Sequence, residues 1–525
     1  MTVQQRLRAT IFFKLIAFSL FTASCQVKHT PIDLSKESII PIPSALSATN
    51  SSFLLTASTE VYVKKDSIDL TKLGAYLSGI LRPATGFALP VSAVNTAPSK
   101  GIYLMLSAEK SSLGDEGYEL NIEDNLITLS ALKPAGLFRG IQTLRQLLPA
   151  KIEMAVLQAG PWEIGTGTIS DSPEYAYRGA MLDVARHFFG VADVKHFIDQ
   201  IAYYKFNVLH LGLTNDQGWR IEIKSWPKLT TYGGSTQVGG GKGGFYTQEQ
   251  FKDIVKYAQE RYITIVPEID MPGHTNAALA SYPELNCNGK QPTLYTGTNV
   301  GFSTFCMNNE KVYKFIDDVM RELSAISPGP YIHIGGDESH STKKEDYIPF
   351  MNRVQEIVAA HRKKVIGWDE IASSTLKPTT VAQIWGNVKN AQATVNQGSK
   401  VLMSPAARAY IDMKYDSTTK LGLKWAGYIE VDKAYTWDPA TYTPGVTRGN
   451  IIGIETTLWS ETISTRAQID FLTFPRLPGY GEIGWSAASA RNWDTYKLRL
   501  AKHGARFKAM GINYYPSKLV PWETK

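Results

Sequence analysis

The sequence predicts an α/β protein: a (β/α)8 TIM barrel preceded by a small α+β domain. Two observations predict it. From about residue 175 onward, eight short apolar runs alternate with stretches of helical periodicity over about 310 residues, the pattern a closed parallel barrel requires. Before about residue 170 the texture differs, mixing hairpin signals with single helices. A doubly wound sheet is the competing architecture, but it would prefer a Gly-rich phosphate loop after its first strand, and none is present. The 525 residues, 43% of them hydrophobic, are ample for a large core, and no compositional bias predicts disorder.

At the N-terminus, Arg6, Arg8 and Lys14 accompany an apolar stretch from Ile11 to Phe21, and the small residues Thr22-Ala23-Ser24 precede Cys25. This pattern predicts a secretory signal over residues 1–25, its apolar core too short to span a membrane. Cys25 after small residues resembles a bacterial lipoprotein cleavage site, although Thr22 stands where Leu is usual; ordinary signal-peptidase cleavage nearby is the alternative. Export is expected, to the periplasm, the outer membrane or the medium, with membrane contact only through a lipid on Cys25. Residues 26–50, rich in Ser, Thr and Pro, read as a tether.

Residues 51–170 form the expected α+β domain. Tyr118, Leu120 and Ile122 alternate, as do Ile127 and Leu129, on either side of Asp124-Asn125, which predicts a hairpin. Leu137, Ile141, Leu144 and Leu148 then share one helical face that Pro149 ends. The barrel is expected over 171–500 and a C-terminal helix or tail over 501–525. Its strands are predicted at 179–184, 207–213, 263–268, 331–335, 364–368, 381–385, 400–404 and 451–459. Val194, Phe197, Ile198 and Ile201 recur at helical spacing after the first strand. Thr247 and Gln250 form a capping-box pattern ahead of Phe251, Ile254, Val255 and Ala258. Cys287 and Cys306 lie in irregular sequence; in an exported chain such a pair predicts a disulfide worth roughly 3 kcal/mol on the chain-entropy model.

Catalytic residues of such barrels lie at the C-terminal ends of the strands. Those ends carry Asp183, Arg186 and His187; Asn215 and Asp216; Glu268, Asp270 and His274; Asp337 and Glu338; Trp368, Asp369 and Glu370; Trp385; Tyr410 and Asp412; Trp459 and Glu461. The set is a funnel of carboxylates and aromatic rings, with neither a Ser or Cys nucleophile arrangement nor a metal-ligand cluster. Carboxylates supply general acids and bases, and Trp faces bind pyranose rings, so the chemistry indicated is glycoside hydrolysis. The net charge of +7 is not gathered into basic runs, which argues against a nucleic-acid partner. In His333-Ile334-Gly335-Gly336-Asp337-Glu338 the adjacent carboxylates repel, so one is expected to stay protonated as an acid.

These motifs resemble glycoside hydrolase family 20, the β-N-acetylhexosaminidases. The matching runs are Arg178-Gly179, Asp183-Val184-Ala185-Arg186-His187-Phe188, Asp216-Gln217-Gly218-Trp219-Arg220, Pro267-Glu268-Ile269-Asp270-Met271-Pro272-Gly273-His274, the Gly-Gly-Asp-Glu block, Gly367-Trp368-Asp369-Glu370 and Trp459-Ser460-Glu461. The resemblance implies substrate-assisted retention, in which the substrate's 2-acetamido oxygen attacks the anomeric carbon and forms an oxazolinium ion. It implies that Glu338 is the acid and base, that Asp337 holds the acetamido N–H and that Tyr410 donates to the acetamido oxygen. It further implies that His274 tunes Glu338, that Arg186, Glu461 and Asp412 grip ring hydroxyls, and that Trp368, Trp385 and Trp459 wall the pocket. No cofactor or metal is implied, and the expected ligands are glycans ending in GlcNAc or GalNAc.

The second strand departs from the family pattern: Leu211, Gly212 and Asn215 stand where Trp, a second His and the first Asp are usual. Asn215 carries no charge, so the upward push on Glu338 should weaken and the pH optimum become more acidic. Two other readings accompany the leading one: a relative that releases a disaccharide such as lacto-N-biose, and a catalytically silent glycan-binding protein. A chitinase-type endo-enzyme is disfavoured because its run of alternating acids is missing.

Overall fold

The computed structural model describes residues 31–65 and 68–523; the expected signal segment and Cys25 lie outside the described residues. The leading domain is a seven-stranded mixed sheet. Its strands are β1 (Ala45–Leu54), β2 (Val61–Lys64), β3 (Val91–Val94), β4 (Gly101–Leu106), β5 (Tyr118–Ile122), β6 (Leu126–Ala131) and β7 (Glu163–Asp171), in the order β1-β7-β5-β6-β4-β2-β3. The helices Ile68–Thr85 and Pro134–Leu147 pack on this sheet and on each other. Leu137, Ile141 and Leu144 of the second helix are fully buried, as their shared face predicts.

The tether expectation fails for the described part of residues 26–50. Leu34, Ile39 and Ile40 are buried, and β1 pairs antiparallel with β7 from Ala45 onward. β1 is an edge strand with mostly half-exposed side chains, so its Ser- and Thr-rich composition suits a sheet margin as well as a linker.

Strands β8 (Tyr177–Asp183), β9 (Val208–Gly212), β12 (Thr264–Glu268), β13 (Tyr331–His333), β14 (Lys364–Trp368), β15 (Val381–Ile384), β16 (Lys400–Met403) and β17 (Ile451–Leu458) close a parallel barrel. The two-residue strands β10 (Thr214–Asn215) and β11 (Gly218–Trp219) form a small hairpin above β9. The predicted capping box is present: the Thr247 hydroxyl accepts from Gln250 N–H and the Gln250 side-chain amide oxygen accepts from Thr247 N–H, starting the helix Gln248–Gln259. The C-terminal helix runs Trp493–Ala509 and straddles the expected boundary at residue 500.

Buried charges join the two units. Glu116 of the leading domain accepts from Arg139 Nε (2.9 Å) and Arg178 Nη2 (2.5 Å); burial alone would raise its carboxyl, but the two guanidinium groups outweigh that and hold it at about 2. Lys205 Nζ donates to Asp171 at 2.8 Å, both side chains fully buried. The barrel therefore stands on a fixed base, with its strand ends free to build a site.

Candidate active site

The C-terminal ends of the barrel strands surround a cleft of about 260 Å³. It is lined by Arg186, Asp337, Glu338, Trp385, Tyr410, Asp412, Trp459 and Glu461, all expected from the sequence, together with Thr298, Val300, Leu423 and Trp425. Asp183 ties the end of β8 to the end of β17: its carboxylate accepts from Ala185 N–H (2.8 Å), Ser460 N–H (3.0 Å) and the Ser460 hydroxyl (3.0 Å). Arg186 is thereby held over the Trp459 ring at 4.7 Å, with Nε 3.8 Å from Glu461 Oε1.

The end of β13 needs both of its glycines. Gly335 (φ 64°) and Gly336 (φ 107°) lie in the left-handed region, and a Cβ on Gly335 would stand 1.7 Å from Asp270 Oδ1. Gly336 N–H donates to that oxygen at 3.2 Å. Glu338 itself takes φ 46°, a backbone costing roughly 1–3 kcal/mol for a residue with a side chain, of the kind stored at functional sites.

Both catalytic candidates face one imidazole. His274 Nε2 lies 3.5 Å from Asp337 Oδ2 and 3.4 Å from Glu338 Oε2, while Nδ1 lies 3.5 Å from Asp216 Oδ2. Burial would lower the proton affinity of His274, but Asp270, Asp216, Asp337 and Glu338 outweigh it and hold the ring charged well above its ordinary range. The expectation that Glu338 stays protonated is corrected here. Burial does push its carboxyl up, but charged His274, with Arg186 and His340 behind it, holds it below the ordinary value. Asp270 is the carboxyl driven upward, by burial and then by Asp337.

The Asn215 expectation is corrected as well. The charge facing His274 belongs to Asp216, whose Oδ1 also accepts from Asn276 N–H (2.9 Å) and the Ser303 hydroxyl (2.5 Å). Asn215 does not line the cleft; it is buried in the hairpin turn, its side-chain oxygen accepting Asp216 N–H at 2.8 Å. The network therefore keeps its negative charge, and the inference of a more acidic pH optimum loses its basis.

Trp368 is 1% exposed and packs against Trp459, ring centroids 5.5 Å apart. Trp385 stacks along Tyr410 with ring planes 22° apart. The Asp-Glu pair after Trp368 explains how it is held: Asp369 accepts the backbone N–H groups of Trp385, Gly386 and Asn387, and Glu370 accepts the Trp385 indole N–H at 3.0 Å. Asp412 is buried, and burial with neighbouring Glu461 raises its carboxyl. Trp425, 57% exposed and edge-on to both Trp385 and Tyr410, lines the cleft; it belongs to the Trp- and Tyr-rich segment from Lys424 to Trp437 after the seventh strand, which the sequence left open as either a subsite wall or a packing segment.

Cys287 and Cys306 are disulfide-bonded, as expected. The bond closes the loop that supplies Thr298 and Val300 to the cleft and Ser303 to Asp216. Among the described residues, two clusters have donor atoms close enough to hold a cation, His210–Glu268–His333 and Asp270–His274–Asp337. In both, carboxylate oxygens and imidazole nitrogens face one another at 2.9–3.5 Å.

The family model for the glycosyl hydrolase family 20 catalytic domain matches residues 175–488, and that for domain 2 of the same family matches residues 36–172. The chain is 40% identical over 488 residues to a β-N-acetylhexosaminidase of Cellulomonas fimi, covering 92% of this chain and 97% of that protein. The solved family 20 β-N-acetylhexosaminidase of Streptomyces coelicolor A3(2) superposes with a TM-score of 0.91 at 50% identity, over 94% of this chain and 100% of that one. A mutant Streptomyces plicatus β-hexosaminidase in complex with its product GlcNAc gives the same TM-score of 0.91 and 50% identity, over 95% and 99% of the two chains. With both family domains matched in order and over nearly the whole described length, the chain belongs to glycosyl hydrolase family 20 and is a glycoside hydrolase of the β-N-acetylhexosaminidase class.

Proposed function

We propose that the chain removes single terminal β-linked GlcNAc or GalNAc residues from the non-reducing ends of glycans, with retention and with the substrate's acetamido group as nucleophile. The observation that carries this reading is that Asp337 and Glu338 share one imidazole. A protein nucleophile would have to stand across the sugar ring from the acid; two carboxylates on the same His274 edge instead suit one proton donor and one anchor for an acetamido N–H. In this reading Glu338 protonates the leaving oxygen and then activates water. Asp337 orients the acetamido group and stabilises the positive charge, and the Tyr410 hydroxyl donates to the acetamido oxygen. The gain is that of an attached nucleophile held in attack geometry beside a fixed anion. Arg186, Glu461 and Asp412 bind ring hydroxyls, and Trp459, Trp385 and Trp425 enclose the apolar faces.

We also propose export, supported by the basic-apolar opening of the chain and by a disulfide of the kind that persists outside a reducing cytosol, with a lipid on Cys25 as the membrane attachment.

The test is parallel hydrolysis of aryl β-N-acetylglucosaminide, β-N-acetylgalactosaminide and β-glucoside, each repeated with a thiazoline analogue of the oxazolinium ion. The expected result is turnover of the acetamido sugars alone, blocked by the thiazoline. Comparable cleavage of the glucoside would overturn the assisted mechanism, and tight thiazoline binding without turnover of any substrate would favour a silent glycan-binding protein.

A further inference from the structure

The described chain is packed almost from its first residue. Ile32 lies so close to Gly165 of β7 that a Cβ there would meet its Cγ2 and its carbonyl oxygen at 3.0 Å. Leu34 is fully buried. The Ile40 N–H donates to the Gln146 side chain at 2.9 Å, its carbonyl accepts from the same amide at 2.8 Å, and the Ser38 carbonyl faces His503 Nε2 at 2.7 Å. Only residues 26–30 therefore separate Cys25 from the folded body. The six steps from Cys25 to Pro31 reach at most about 20 Å when fully extended, so a group attached to Cys25 is held within that distance of Pro31.

Ile32 shares a surface cavity with Pro161, Glu163 and Lys502. Residues 155–161, which lead into it, carry no charge, and all of them except Gln158 are exposed. Val156 (60% exposed) and Leu157 (70%) are the two most exposed large hydrophobic side chains among the described residues. Leu498, 56% exposed, stands one turn before Lys502 on the C-terminal helix. A single exposed leucine needs no explanation, but exposed aliphatic side chains gathered at one place mark a contact surface. This face meets the barrel at the pole away from the cleft. Gln146 reaches the Tyr203 carbonyl and His503 the Tyr204 hydroxyl, both just ahead of β9, whereas the cleft opens at the far ends of the strands.

We propose that the face formed by residues 155–161 and the Leu498 side of the C-terminal helix rests on a lipid bilayer, with the cleft turned away from the membrane. This rests on the reading of Cys25 as the lipid-bearing residue and adds to it the contact face and the orientation. The leash decides the geometry. A single compact body of about 500 residues has a radius of gyration of about 23 Å, so a leash of about 20 Å is too short for the body to roll over. Only the surface around Pro31 can meet the bilayer. Val156 and Leu157 then enter the boundary between headgroups and acyl chains, as the apolar side chains of an interfacial anchor do, and supply a second contact beside the lipid. The consequence for function is that glycans of the same membrane lie beyond the cleft, which samples glycans arriving from the other side.

Hydrogen exchange on vesicles of phosphatidylethanolamine and phosphatidylglycerol tests it, with the Cys25→Ser chain free in solution as the reference. Two anchored preparations are compared: the chain as exported, and the chain from Cys25 onward coupled through that thiol to a maleimide-bearing phosphatidylethanolamine. Cys287 and Cys306 are bonded to each other, so Cys25 is the one thiol available for coupling. Exchange over residues 155–161 is expected to slow severalfold on the vesicles, with the cleft loop that carries Leu423 and Trp425 unchanged. Val156→Asp with Leu157→Asp, coupled in the same way, should return residues 155–161 to the free rate while aryl β-N-acetylglucosaminide hydrolysis stays as it was. Free-rate exchange over residues 155–161 in the anchored chain, slowing at the cleft loop, or a double variant that stays protected overturns the proposal. An exported chain whose mass shows no acyl group overturns the reading of Cys25 instead, and the coupled preparation still decides the contact face.

Discussion

His274 carries its proton because carboxylates surround it on several sides, and this one charge sets the acidity of the catalytic residue beside it. Glu338 is consequently ionised in the free enzyme at neutral pH, with its acid form populated only as the pH falls. The alkaline limb of kcat/KM reports the acid of the free enzyme. His274→Gln removes the cation and leaves burial as the dominant influence on Glu338, so the limb should move to higher pH. Asn215→Asp should leave it in place, because the Asn215 side chain is engaged with the backbone of its own turn and not with His274. Paired pH–rate profiles check both statements. A shift from Asn215→Asp with none from His274→Gln would reverse the assignment.

At the scale of elements, the connection from β12 to β13 does more for the site than either strand. It carries the turn that presents His274, then the disulfide-closed loop, and it returns Ser303 to Asp216 while laying Thr298 and Val300 along the cleft. Opening the disulfide should therefore act twice. Cys306→Ser is expected to lower stability by about 3 kcal/mol on the chain-entropy model, read by calorimetry. It should also raise KM severalfold, because the cleft wall and the brace on Asp216 loosen together. A lower thermal midpoint with KM unchanged would mean that the loop wall stands without its bond. The Trp-Asp-Glu run at the end of β14 is a second such device, one acid anchoring the backbone after β15 and the next anchoring the Trp385 indole.

Across the whole molecule, the barrel was legible because its strands are buried on both faces and read as continuous apolar runs, each ending in a residue the chemistry could use. The leading domain was less so: β1 looks like a linker because an edge strand keeps its polar side chains toward solvent. At the site, residue type and strand-end position sufficed for Asp337, Glu338, Tyr410, Arg186 and Glu461, all of which meet in one cleft. They did not suffice for Asn215 and Asp216, neighbours in a two-residue hairpin strand and its turn, where only three dimensions show which carboxylate-bearing position reaches the histidine. Nor do they set the depth of Trp368, which is 1% exposed against the Trp459 ring.

The account stands or falls on the substrate's own acetamido oxygen being the nucleophile. The most direct measurement is kcat for aryl β-N-acetylglucosaminides whose acetyl group carries none, one, two or three fluorines, which drain electron density from that oxygen while leaving the rest of the sugar unchanged. The account predicts a steep, progressive fall in kcat along the series. A flat series would mean that a group on the protein attacks the anomeric carbon, and would contradict it.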